Sequence, residues 1–256
     1  MDIYFELAKQ PVFRMCDVNH YYNNLESARS AVKRLISQRK ALKIRSDLYT
    51  CVSAEHGGPV ADRFQIASAV TETSCVSHHT ALEYYGISDQ VFYEVFVSSE
   101  TRFHDFEFNG YTYHFVKARL SEGIETPLFS GGITVTDLER TLADCLKDMD
   151  KIAGPEELIA NIRSMPVVNE EKLLRYLALY DNQFLYQKAG FLLWDCRDTL
   201  GLSDQFFAVC AARIGNSKRY LTRDEKACTY NAEWKLMIPT NIMGMKNGGD
   251  LTDASI

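Results

Sequence analysis

Residues 23–49 read Asn-Asn-Leu-Glu-Ser-Ala-Arg-Ser-Ala-Val-Lys-Arg-Leu-Ile-Ser-Gln-Arg-Lys-Ala-Leu-Lys-Ile-Arg-Ser-Asp-Leu-Tyr. Leu25, Ala28, Val32, Leu35 and Ile36 recur at helical spacing, and the opposite side carries Glu26, Ser27, Ser30, Lys33, Arg34 and Ser37. That pattern predicts one amphipathic helix. Asn23 with Glu26 three residues later has the form of a capping box, which starts the helix near Leu25. Beyond Arg39 the period shortens: Leu42, Ile44, Leu48, Tyr49 and Val52 lie on two short runs separated by Ser46-Asp47, a polar pair suited to a tight turn. A helix followed at once by a small hairpin is the recognition half of a winged helix.

The residues upstream complete that motif. Ile3, Leu7 and Ala8 stripe a first helix that Pro11 closes, Val12–Met15 is extended, and Asp17 is placed to cap a second helix running to about Tyr22. The expected architecture is therefore α+β: an N-terminal winged helix-turn-helix over residues 1–56, followed by a larger mixed α/β domain, residues 57–256, with a small antiparallel sheet and C-terminal helices. His56-Gly57-Gly58-Pro59 breaks all periodicity and marks the expected boundary.

The net charge of −6 looks wrong for a nucleic-acid binder until it is divided. Residues 1–52 hold nine Lys or Arg against five acids, whereas the rest holds 19 against 29. A basic head on an acidic body suits a DNA-binding module, because phosphate contact needs only a local positive field. The expected double-stranded DNA contacts are Ser27, Arg29, Ser30, Lys33 and Arg34 from the helix, and Lys40, Lys43 and Arg45 from the wing. The competing reading is a merely solvated helix face, the usual fate of a charge run.

Further along, Asp62–Ser68 reads as a helix, and Ser77–Gly86 as another with Gly86 at its C-terminal cap. Val91–Ser98 is the strongest strand signal, and Phe106–Val116 forms two strands around the Asn109-Gly110 turn, together a β meander. Thr134–Asp148 is a buried helix, led by Thr136 and carrying Leu138, Leu142, Cys145 and Leu146 on one face. Helices follow over Glu156–Ser164, from Asn169 to about Tyr180, Gln187–Thr199 and Ser203–Ala212; Trp234–Ile238 is a last strand and Gly244–Ile256 a loose tail.

The chemistry-bearing clusters weigh lightly. His78-His79 are adjacent on a helix, about 100° apart, whereas a zinc helix wants i and i+4. Asp144, Asp148 and Asp150 lack calcium-loop spacing and read as a solvated helix end. Seven scattered cysteines without a Cys-x-x-Cys pair read as reduced thiols. No phosphate-loop, dinucleotide-fold or nucleophile-elbow motif is present, nor the Gly-Ser and paired aspartates of a nucleotidyltransferase. We expect no catalytic residue, metal or cofactor. No apolar run approaches the roughly 18 residues of a membrane helix, and Asp2 and Glu6 stand where a signal peptide carries positive charge, so a cytoplasmic protein is expected.

With both segments in view, the chain resembles the AbiEi family, antitoxins and transcriptional regulators of type IV toxin-antitoxin systems linked to phage defence. Arg45-Ser46-Asp47-Leu48-Tyr49 is similar to that family's Arg-x-Gly-x-Tyr wing, and Ser77-His78-His79-Thr80-Ala81-Leu82 with Gly86 to its second landmark. The resemblance covers residues 1–150. Asp47 departs from it, standing where glycine is usual; Asp tolerates the left-handed backbone less well than Gly but better than most residues. The resemblance implies repression of its own operon, commonly at inverted repeats. It also implies neutralisation of a nucleotidyltransferase-like toxin, in many such pairs without a stable complex. The rival reading is a winged-helix regulator whose larger domain senses a small ligand.

Overall fold

Three short helices open the chain, α1 (Ile3–Leu7), α2 (Met15–Asn19) and α3 (Leu25–Ser37), and a hairpin follows, β1 (Ala41–Arg45) and β2 (Leu48–Cys51). Ala28, Ala31, Val32 and Leu35 turn the apolar side of α3 inward, against Leu7, Phe13, Val18, Ala41 and Cys51. Burying each larger side chain contributes roughly 1.5–3 kcal/mol, which such brief helices need because they are too short to stand alone. Asn24 caps α3, accepting the Ser27 N–H at 2.8 Å. Asn23 does not, so the cap lies one residue later than its pattern suggested. Asp17 likewise sits inside α2, where its carboxylate accepts the Arg14 N–H at 2.7 Å.

The hairpin turns on Ser46-Asp47, with Arg45 opposite Leu48. Asp47 takes the left-handed conformation (φ 53°), and its carboxylate accepts the Met15 N–H at 2.9 Å. A residue strained at its backbone thus also satisfies the start of α2. Phe13 and Tyr49 bridge backbone to backbone at 2.8 and 2.9 Å and stack their rings, adding a third short rung to the hairpin.

The structure, a computed structural model, describes residues 3–88, 90–223 and 227–246, and these fall into two compact units. The first takes in the described residues through Tyr84 together with Val91–Thr136. Its second half contains α4 (Arg63–Ser68), β3 (Cys75–Val76), α5 (His78–Tyr84), β4 (Glu94–Ser99), β5 (Phe106–Phe108), β6 (Tyr111–Lys117), β7 (Ile124–Glu125) and β8 (Val135–Thr136). The six strands form one sheet in the order β5-β6-β4-β3-β8-β7. His56–Pro59 lies within this unit, in a loop that a Val52–Pro59 bridge closes.

The sheet corrects the expected antiparallel meander. Asn109 and Gly110, with φ of 51° and 81°, do fold β5 back on β6, as a two-residue hairpin turn with both φ positive requires. Yet β6 then inserts between β5 and β4 and runs parallel to β4, and β3 runs parallel to β8. Val97, Ser98 and Ser99 are all buried, so the end of β4, a central strand parallel to β6 and antiparallel to β3, is covered on both faces.

The second unit comprises Tyr85–Gln90 and the described residues from Asp137 onward. It is largely helical: α6 (Leu138–Lys147), α7 (Pro155–Ser164), α8 (Glu170–Tyr180), α9 (Gln183–Leu193), α10 (Arg197–Leu200) and α11 (Asp204–Arg213). A three-stranded sheet of β9 (Arg219–Tyr220), β10 (Cys228–Asn231) and β11 (Leu236–Pro239), ordered β10-β11-β9, precedes α12 (Thr240–Lys246). Asp137, not Thr136, caps α6 through the Arg140 N–H at 2.8 Å. Gly190 lets α9 pack closely on the buried Trp234; a Cβ there would stand 2.0 Å from the indole. Gly244 belongs to α12 rather than to a tail, and the remainder of the expected tail, residues 247–256, lies outside the described residues.

Asp144 is a second correction. It is buried, not solvated: Arg140 Nε donates to it at 2.9 Å and the Tyr180 hydroxyl donates from α8. Burial on its own would lower the Arg140 pKa, but Asp144 and Tyr180 raise it, so the guanidinium stays charged inside the unit. The Tyr176 hydroxyl reaches Asp137 at 2.7 Å, a second tie between α8 and the start of α6. Among the described residues no helix is long and apolar enough to cross a membrane.

Candidate nucleic-acid interface

Because the apolar side of α3 is packed, its polar side must face solvent. Arg29, Ser30, Lys33 and Arg34 are exposed and Ser27 is half-buried. At roughly 100° per residue these five side chains fan over about 160° of the helix. Ser27, Ser30 and Arg34 line a shallow depression of about 350 Å³ with Tyr22, Glu26 and Ala31. Lys33 and Arg29 stand on the adjoining stripe, and Arg29 is engaged at 3.0 Å with Glu26, a pair so exposed that it stabilises little.

The hairpin contributes unevenly. Lys43 is exposed on β1. Lys40 is half-buried at the end of α3, its ammonium 5.5 Å over the Tyr4 ring. Arg45 is turned inward: its guanidinium lies 5.3 Å from both the Phe103 and Phe106 rings, and its Nη1 is buried without a hydrogen-bond partner among the described residues. Desolvation, followed by repulsion from Arg14, lowers its pKa. The structure therefore leaves seven of the eight expected side chains at least partly open to solvent, brings Ser27, Ser30 and Arg34 together in one depression, and sets Arg45 against the Phe103 and Phe106 rings. Arg39, exposed between α3 and Lys40 with φ 57°, is a further open cation that was not expected; its signal was the Arg39-Lys40 pair at the helix end.

Other charged groups serve packing. His79 Nδ1 approaches Glu83 at 2.8 Å, Glu83 also pairs with Arg63, and His78 Nδ1 meets the Ser77 hydroxyl at 2.9 Å. Among the described residues no three His, Cys, Asp or Glu side chains gather as a metal site would require.

Comparison with known protein families finds no match, and neither does comparison with curated proteins. Among solved structures, the crystal structure of RV2827C protein from Mycobacterium tuberculosis is similar, with a TM-score of 0.67 and 13% sequence identity. The likeness covers 96% of this chain and 94% of that one. At such identity it speaks to the α+β fold alone.

Proposed function

We propose that α1 to β2 act as a winged helix-turn-helix and that the protein is an AbiEi-like antitoxin. It represses its own operon at inverted repeats in double-stranded DNA and neutralises a nucleotidyltransferase-like toxin in the cytoplasm. The observation that carries the DNA reading is the placement of Ser27, Ser30, Lys33 and Arg34 on the free side of a helix whose other side is packed, with Lys43 on the hairpin that follows. A helix so anchored enters a major groove as a rigid unit, its Arg and Ser reaching base edges while lysines on the hairpin meet phosphates. The antitoxin reading rests on the resemblance at Arg45–Tyr49 and Ser77–Gly86. The protein supplies no catalytic residue in this account.

The test uses the whole chain, because removing residues 1–56 would strip Arg45 from Phe103 and Phe106. Gel shifts with the DNA upstream of its gene should show binding that weakens with salt. Arg34→Ala with Lys43→Ala should cut affinity and reduce the salt slope by about 2, near 0.9 for each phosphate that is no longer neutralised. In cells the same double variant should lose repression yet still rescue growth when the neighbouring toxin gene is induced. Unchanged DNA binding would reject the interface; failed rescue by the unaltered protein would reject the antitoxin.

A further inference from the structure

A cleft of about 700 Å³ opens in the first unit between the start of α4, the segment that leads into it, and the β5–β6 turn. That volume falls in the range of about 300–1,000 Å³ typical of small-molecule sites. Tyr113 lines it and is wholly buried. Its ring is fixed by parallel stacking on Phe106, with centroids 4.7 Å apart and planes within 2°. Its hydroxyl has no hydrogen-bond partner among the described residues, and the groups it feels electrostatically, Asp62, Tyr111 and Arg63, are all walls of the same cleft. A buried hydroxyl is rarely left unmatched in a folded protein, and this one belongs to a residue of the cleft's lining.

The charges select the ligand class. Arg63 is held between the Phe64 and Tyr111 rings at 4.7 and 5.2 Å, and Glu83 neutralises it. Asp62 uses one carboxylate oxygen to cap α4, accepting the Gln65 N–H at 2.8 Å, and its other oxygen makes no hydrogen bond among the described residues. A phosphate or carboxylate would therefore meet a carboxylate and a cation already paired, while His56, also on the lining, has its Nδ1 taken by the Gly58 N–H at 3.2 Å. An uncharged flat ring with both N–H donors and acceptors matches what is offered: Asp62 takes the donor, the Tyr113 hydroxyl serves the acceptor, and the aromatic walls take the faces. We propose that this cleft binds a neutral planar nitrogen heterocycle of purine size, as a free base or nucleoside. This site is independent of the helix–hairpin surface and of the antitoxin reading.

Calorimetric titration of the full chain with adenosine, guanosine and AMP tests it. At least one nucleoside should bind saturably, with AMP at least tenfold weaker than the matching nucleoside. Tyr113→Phe should weaken binding about tenfold, the effect of one hydrogen bond, without lowering the melting temperature, because the hydroxyl removed has no protein partner. Tyr111→Leu, checked for folding by circular dichroism, should weaken it too. No binding by either nucleoside up to about 1 mM, where affinity is already negligible, would overturn the proposal. So would AMP binding as tightly as adenosine, or nucleoside binding unchanged in Tyr113→Phe.

Discussion

Helices α3 and α6 each carry four charged side chains on a helical period, and the fold treats them oppositely. In α3, Glu26, Arg29, Lys33 and Arg34 are all exposed. In α6, Glu139, Arg140 and Asp144 are buried and Lys147 is half-buried. Periodicity states which side of a helix is apolar; it does not state whether another element will cover the polar side. For α6 that element is α8, which brings Tyr176 and Tyr180 down onto Asp137 and Asp144. Among the described residues of the first unit none covers the polar side of α3 in that way, and its open cationic face is what the proposed DNA groove would receive.

The largest effect expected from this contrast lies in α6. Asp144→Ala takes from the buried Arg140 guanidinium the carboxylate that holds its Nε at 2.9 Å, a loss of about 3–5 kcal/mol, out of a total stability of roughly 5–15 kcal/mol for a typical protein. Lys33→Ala on α3 should stay within about 0.5 kcal/mol. Urea denaturation of the two variants side by side measures both. Similar midpoints for the two would mean that Arg140 finds water, and the contrast between the helices would fail.

A middle-sized effect sharpens where α3 begins. Asn24→Ala should cost about 1 kcal/mol through loss of the bond to the Ser27 N–H, while Asn23→Ala, at an exposed position outside the helix, should cost almost nothing. The reverse order would move the cap back to the residue that the Asn23…Glu26 pattern indicates.

That one-residue slip shows how far local pattern carries. The body of α3, the Ser46-Asp47 hairpin and the Asn109-Gly110 turn were legible because each is fixed by neighbours within a few residues: an apolar stripe, or a residue that accepts positive φ. The order of the six-stranded sheet was not, since β3, β7 and β8 are two residues each and too brief to show alternation, and β4 meets β6 across a crossover. The same distance rule sorts the candidate site residues. Ser27, Ser30, Lys33 and Arg34 follow from the helix that bears them, whereas Arg45 is withdrawn by Phe103 and Phe106, some sixty residues away in sequence and invisible to any reading of the hairpin. The cleft beside Tyr113 is assembled from three separate stretches of chain, and no local pattern in them says that they meet.

The smallest stability effect tests whether the open face of α3 is there for an anion. Glu26 is the one acid on that face; it borders the depression that Ser27, Ser30 and Arg34 line and draws Arg29 aside at 3.0 Å. The pair is solvent-exposed, and the carboxylate also sits in the first helical turn, where the helix dipole favours it, so Glu26→Ala should cost no more than about 0.5 kcal/mol. On DNA the sign reverses. Removing the acid takes a repulsive charge away from the phosphates and frees the Arg29 guanidinium, so affinity should rise, and most at low salt, where screening is least. Gel shifts of the variant across a salt series read this directly. Weaker DNA binding with an unchanged melting temperature would instead make Glu26 a reader of base edges, accepting from a cytosine amino group in the major groove, and the helix would then owe its specificity to the one residue whose charge opposes the phosphates.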